Sequence, residues 1–384
     1  MSVDIRSVTE VAVGSPVVAA EVAARVPISY DPYLPGRAVE HAMGLAETAL
    51  GDRVEWQAIV KRTEGPGLRA ARRELAVYRS GLAAAGPGGG LRGPALFGFE
   101  EDDDRVEVWL ELVHDAYGGS WPVERFGLAA RHIAAWDARA DSVDLPRGFD
   151  SEDAWAERHG QPERLAEVTA ALDVARRAPR ADEVMALLAD DGFHRTQALI
   201  DSTPARIERL AAFDQALLHH DLIRSNLFAI GDAATVAIDW ENVGRGPLGV
   251  DLAPLVIGSV RRGEASADHL QAIEAAVLDG FEDGLRDAGI EVRADVRTAY
   301  RLAIGLRWHV VLGSIRTWLD PGSGASAAAA GASHARRACA TCWPRPGTSS
   351  KPPTRTTSHR IGRCMTTATS ARRSPRATTI PTTS

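Results

Sequence analysis

Two short segments constrain this chain more than anything else in it: HHDLIRSNL (219–227) and AIDWENVGRGPLGVDLAPL (237–255). The first sets His219, Asp221 and Asn226 in the spacing His-x-Asp-x-x-x-x-Asn. The second belongs to an apolar run, TVAIDW (235–240), which reads as a strand that carries Asp239 at its mouth, with Glu241 close behind. A lone Asp in a polar loop is ordinarily a solvated acid, and one at a strand end is ordinarily a turn cap. Asp221 with Asn226 five residues on and Asp239 eighteen on is a constellation, and that favours a functional reading over the bland one.

The net charge of −7 averages two unlike regions. No Asp or Glu follows Asp320, so residues 1–320 hold 34 basic and 51 acidic residues, a net −17. An acidic body argues against nucleic acid as a partner, which needs basic surface. All three cysteines (Cys339, Cys342, Cys364) fall after residue 320, so no disulfide framework supports the body, as expected of a cytoplasmic protein. Asp4 and Glu10 precede a short apolar stretch, which lacks the positive start of a secretory signal. No apolar run approaches the roughly 18 residues of a membrane span, so no membrane association is expected.

Residues 1–27 read as an N-terminal extension, Val/Ala-rich and without punctuation. DPYLPGR followed by AVEHAMGLAETAL reads as a strand pair, and VEWQAIVKR (54–62) alternates as a half-buried strand. In 68–82, Leu68, Ala71, Leu75 and Tyr78 recur at helical spacing. PALFGF (94–99) and RVEVWLELV (105–113) are strands around the acidic turn 100–104. Beyond residue 113 the pattern turns helical. Residues 121–139 carry the stripe Phe126, Ala129, Ile133, Trp136, and Ser151 offers an N-cap to the next helix. Further helices are predicted over 203–218, 267–289 and 296–315. From 321 the chain is rich in Ala, Thr, Ser, Pro and Arg with few large apolar residues. Such a tail does not bury enough surface to offset chain entropy and is expected to be disordered. Its abrupt onset reads like GC-rich DNA translated in a shifted frame.

The two opening segments resemble those of protein kinases, with Trp-Glu after the strand-end Asp in place of Phe-Gly. That departure turns the resemblance toward the small-molecule branch of the fold, the aminoglycoside phosphotransferase and choline-kinase-like family. The likeness covers about residues 30–320, and is strongest over 203–255. It implies an α+β, protein-kinase-like bilobal fold, with a small β-sheet lobe over 28–113 and a mainly helical lobe over 114–320. It also implies ATP and Mg²⁺, and a small-molecule hydroxyl as acceptor.

Residue by residue, the resemblance makes Asp221 the carboxylate that orients the acceptor hydroxyl and His219 a residue that shapes its loop. Asn226 and Asp239 become the metal ligands, both oxygen donors of the kind Mg²⁺ takes alongside phosphate oxygens. Lys61, at a strand end, and Glu74, thirteen residues on in a helix, match the phosphate-binding lysine and its carboxylate. Arg62 is the neighbour that would serve if the register were shifted by one. Glu111, Leu112 and Val113 fall where the backbone between the lobes reads adenine. Glu241 stands beside the site, and Asp251 braces it. The His-His-Asp triplet does not favour zinc over oxygen-ligated metal.

Gly88-x-Gly90-x-x-Gly93 imitates a dinucleotide fingerprint, but a helix precedes it and a strand follows, the reverse of the required order. It reads as a flexible loop. The Cys339/Cys342 pair with His334 and His359 nearby imitates a metal cluster only superficially. Where a glycine-rich phosphate loop is expected, between 34 and 48, only Gly36 and Gly44 occur. A nucleotide-binding pseudokinase and a helical binding protein without nucleotide therefore stay open, as do the acceptor and the oligomeric state.

Overall fold

Residues 3–28, 36–84, 90–118, 120–140, 159–178, 181–182 and 191–307 are described by the computed structural model. The Ser151 cap, Gly88, residues 308–320, the tail from 321 and its cysteines lie outside them. The small lobe is a five-stranded antiparallel sheet built from β1 (Val17–Pro27), β2 (Arg37–Thr48), β3 (Arg53–Glu64), β5 (Leu96–Glu101) and β6 (Arg105–Leu110), in the order β1-β2-β3-β6-β5. Helix α1 (Ile5–Val13) precedes β1, and α2 (Leu68–Arg79) follows β3.

The alternation in β3 explains how this sheet serves two purposes. Trp56, Ala58 and Val60 point to one face, where they are buried with Val8 of α1, Ala42 and Ala46 of β2, and Trp109 of β6. Ile59, Lys61 and Thr63 therefore point to the other face. There Ile59 packs against the larger core shared by α2 and the second lobe. Residues 3–27, read from the sequence as an extension, supply the cover and the outer strand of this sheet. β1 runs antiparallel to β2, with Val17 opposite Thr48 and Pro27 opposite Glu40. It has only one fully buried residue, Val17, so it carries little of the alternation by which a strand is recognised.

The larger lobe is mainly helical: α3 (Val123–Ala140), α4 (Pro162–Arg177), α5 (Gly192–Asp201), α6 (Thr203–Ala211), α7 (Leu270–Asp287) and α8 (Ala294–Gly305). Phe126, Ala129, Ile133 and Trp136 of α3 are all buried, as their spacing predicts. Between α6 and α7 lie four short strands, β7 (Gln215–Leu218), β8 (Leu227–Ile230), β9 (Ala234–Ala237) and β10 (Gly244–Pro247). The expected helix over 203–218 ends at Ala211. Gln215 caps Leu210 in its last turn and closes the turn beyond it, donating from Nε2 to Leu210 O at 3.0 Å and Phe213 O at 2.7 Å. The apolar residues that follow form β7, paired with β10. Gly90–Arg92, part of the glycine run read as a loop, form β4, which lies parallel to β9.

α3 and α7 pack backbone to backbone. A Cβ on Gly280 would fall 2.1 Å from Gly127 O, and one on Gly284 would fall 2.3 Å from Arg131 O and 2.7 Å from the Ala134 methyl. Overpacking of this kind costs about 1–3 kcal/mol. Gly284→Ala is expected to lower the unfolding free energy by about 2 kcal/mol, measured by urea denaturation. His132, on α3 with Nδ1 3.0 Å from Thr235 Oγ1, offers a second test. Burial, helped by the charges of Arg125 and Arg131, lowers its pKa from the ordinary 6.5 to about 4. Between those values the unfolded chain takes up a proton that the folded chain refuses, so stability falls as pH drops from about 6.5 to about 4. His132→Gln should flatten that part of the stability–pH curve.

Candidate active site

β3 carries Lys61 to the inner face of the sheet, and α2 brings Glu74 to meet it. The helix buries Ala71, Leu75 and Tyr78, and Glu74 lies on the same side, 4% exposed. Lys61 Nζ sits 2.8 Å from both Glu74 carboxylate oxygens and 2.6 Å from Asp239 Oδ1. Burial opposes the ammonium charge, but the attraction of Asp239 and Glu74 outweighs it and holds the Lys61 pKa well above its ordinary value. For Glu74 burial wins: its pKa is raised despite Lys61, with Asp239 adding repulsion. Asp239 also works against burial, but Lys61 dominates and its pKa is lowered. Arg62, its neighbour, is on the other face, 3.8 Å from Glu64.

The segment 219–227 leaves β7 and turns sharply at His220, which has φ 67°. Asp239 follows β9 with φ 61°, and these two are the only non-glycine residues with positive φ among the described residues. Left-handed backbone is costly for such residues and persists where the surroundings over-determine it. Asp251 does so for the first: fully buried, its Oδ2 accepts from His219 N–H at 2.8 Å and its Oδ1 from His220 N–H at 2.7 Å. The rings are also used. His219 Nε2 lies 3.0 Å from Ile238 O with its ring 4.6 Å from Trp240, and His220 Nε2 lies 3.2 Å from Arg245 O.

Asn226 Nδ2 donates to the Asp221 carbonyl at 2.9 Å and to Asp221 Oδ2 at 3.2 Å. Its own carbonyl accepts from Ile238 N–H at 3.0 Å, one residue ahead of Asp239. Asp221, Asn226 and Asp239 thus share one hydrogen-bonded frame. Among the described residues no group of three or more His, Cys, Asp or Glu is assembled that could hold a metal by itself. Two oxygen donors, Asn226 and Asp239, suit instead a hard divalent cation whose remaining ligands come with phosphate and water.

Arg224, in the same loop, was not singled out from the sequence. It is buried, ion-paired to Asp115, and donates to Gly118 O and, at 2.8 Å, to Leu227 O. Its guanidinium lies 4.1 Å from the Trp121 ring centre, with Arg125 4.6 Å from the same ring. Asp115 also accepts from Trp121 Nε1 at 3.1 Å and Ala229 N–H at 3.2 Å. Between the lobes, Glu111 N–H donates to Ala95 O at 2.9 Å, so that amide is spoken for. The Glu111 carboxylate resists burial through bonds from Arg92 (2.6 Å) and Ala95 N–H (3.0 Å), which keep its pKa below the ordinary value. Leu112 and Val113 follow without regular structure.

Asp251→Ala removes a charged acceptor from two buried N–H groups. It should cost about 3 kcal/mol of stability in chemical denaturation, with Asp251→Asn costing less because one acceptor remains.

No protein-family model and no curated protein sequence matches the chain. Solved structures do. Aminoglycoside phosphotransferase from Alicyclobacillus acidocaldarius aligns with a TM-score of 0.51 at 15% identity, covering 87% of this chain and 93% of that one. Spectinomycin phosphotransferase, solved with ADP and spectinomycin, aligns at 0.46 and 12%, covering 88% and 96%. Plasmodium vivax ethanolamine kinase aligns at 0.45 and 11%, covering 82% and 81%. The antiparallel sheet of the first lobe and the mainly helical second lobe are the kinase-like fold of the aminoglycoside phosphotransferases, and this chain has that fold.

Proposed function

We propose that this protein is an ATP- and Mg²⁺-dependent phosphotransferase that moves the γ-phosphoryl group to a hydroxyl of a small molecule. The observation that carries the reading is the contact of Lys61 with Glu74 on one side and Asp239 on the other, 178 residues away in sequence. It joins a cation suited to nucleotide phosphates with a carboxylate suited to their metal ion. Asp221 and Asn226 stand on the frame that holds Asp239.

In this reading the acceptor oxygen forms a bond to the γ-phosphorus as the bond to the β–γ bridging oxygen breaks, and ADP leaves. Asp221 orients the hydroxyl and takes its proton. Asn226 steadies Asp221 through its amide nitrogen, and its oxygen together with the Asp239 carboxylate would hold the metal. The metal, when bound, neutralises charge on the phosphates. Lys61, braced by Glu74, exchanges Asp239 for phosphate oxygens. His219 keeps the loop in shape. The Glu111 carbonyl and the backbone of Leu112 and Val113 meet the adenine. Among the described residues no helix is long and apolar enough to cross a membrane, and a cytoplasmic site of action fits a substrate as common there as ATP.

The test is the full chain with ATP and Mg²⁺ against hydroxyl acceptors: amino-alcohols, sugars, nucleosides and antibiotics, with ADP release as the readout. Asp221→Asn is expected to lower turnover by about 100-fold or more while ATP still raises the melting temperature in a Mg²⁺-dependent way. Nucleotide binding without any turnover in the unsubstituted protein would favour the pseudokinase reading.

A further inference from the structure

Gly44 is unavailable as a phosphate-loop glycine. It lies within β2, where a Cβ would sit 2.0 Å from Glu21 O and 2.6 Å from the Trp56 indole. Its missing side chain makes room for Trp56 on the covered face of the sheet. Of the two glycines in this stretch, Gly36 remains, and the next residue is Arg37.

The β2–β3 register puts Val39 opposite Lys61 and Arg37 opposite Thr63. Directly paired residues, and those two apart on one strand, share a face. Arg37 and Lys61 therefore project from the same face of the sheet. Both reach the turn after β9, Lys61 to Asp239 at 2.6 Å and Arg37 Nη2 to Glu241 Oε2 at 2.5 Å. Lys61 and Arg37 thus each hold one acid of the Asp-Trp-Glu turn.

We infer that Arg37 is a phosphate-binding residue of this site, passing from Glu241 to the nucleotide phosphates and supplying the charge that a glycine-rich loop would otherwise supply as backbone N–H groups. The inference rests on the phosphotransferase reading. The Arg37 and Glu241 side chains keep only 17% and 20% of their surface exposed, so Arg37 leaves Glu241 only for a partner that replaces that charge interaction in full. A phosphate chain carries more charge than one carboxylate and accepts a guanidinium in bidentate fashion, so it wins the competition.

The experiment is calorimetric titration of the full chain with Mg·ATP and, separately, with adenosine. Arg37→Gln should weaken Mg·ATP by about tenfold or more and leave adenosine unchanged, with Arg37→Lys recovering part of the loss. Glu241→Gln removes the competing acid and should tighten Mg·ATP severalfold. An unchanged ratio of ATP to adenosine affinity in Arg37→Gln would overturn the inference while leaving the phosphotransferase reading in place. So would equal weakening by Arg37→Gln and Glu241→Gln, which would mark the pair as a structural strut. Failure of the unsubstituted protein to bind either ligand would end both readings.

Discussion

An ammonium group taken largely out of water needs opposite charge within reach, and Lys61 finds it on both sides. Its side chain is only 21% exposed, so burial alone would favour the neutral amine. Two carboxylates at 2.8 and 2.6 Å reverse that preference. The consequence is mutual: Glu74, nearly fully buried, is tolerable only beside a cation, and Asp239 stays ionised because Lys61 is near. The position of α2 on the sheet, the inward face of β3 and the turn after β9 all have to agree for these three groups to meet. The rest of the site is arranged around that agreement.

Burial is divided between the lobes in a way that serves the site. One face of the sheet is spent on the Trp56 and Trp109 cluster under α1, which asks nothing of the second lobe. The other face shares its core with α3 and the strands around 216–237. The polar site sits at the margin of this shared core. Its buried acid Asp251 is matched to two backbone donors, which offsets the desolvation that a fully buried carboxylate would otherwise cost.

Much of this is legible in the chain. Lys61 and Glu74 could be paired because β3 alternates cleanly and α2 keeps its stripe, so each element declares which way its residues point. The spacing of Asp221, Asn226 and Asp239 is local enough to be read directly. Other parts were hidden for physical reasons. β1 is an outer strand with one buried residue, so its pattern is mostly solvent. β7 is four residues of an apolar run that continues a helical periodicity, and only the Gln215 cap separates them. Arg37 gains its meaning from a cross-strand register, and Arg224 from an acid 109 residues away. Neither relation has a signature in spacing along the chain.

The stacking of Arg125 and Arg224 about Trp121 has a mechanical side. It fastens the loop that carries Asp221 and Asn226 to the helix α3, and the Asn226–Ile238 bond extends that fastening to Asp239. These acids and the amide therefore travel as one body with the second lobe. Any widening of the cleft must instead part the shared apolar core, the Arg73–Val243 bond and the ion pairs of Lys61 with Asp239 and of Arg37 with Glu241. Salt screens pairs this largely buried only weakly. The grip between the jaws is therefore nearly blind to ionic strength, and what loosens it is a ligand that brings its own charge to Lys61 and Arg37.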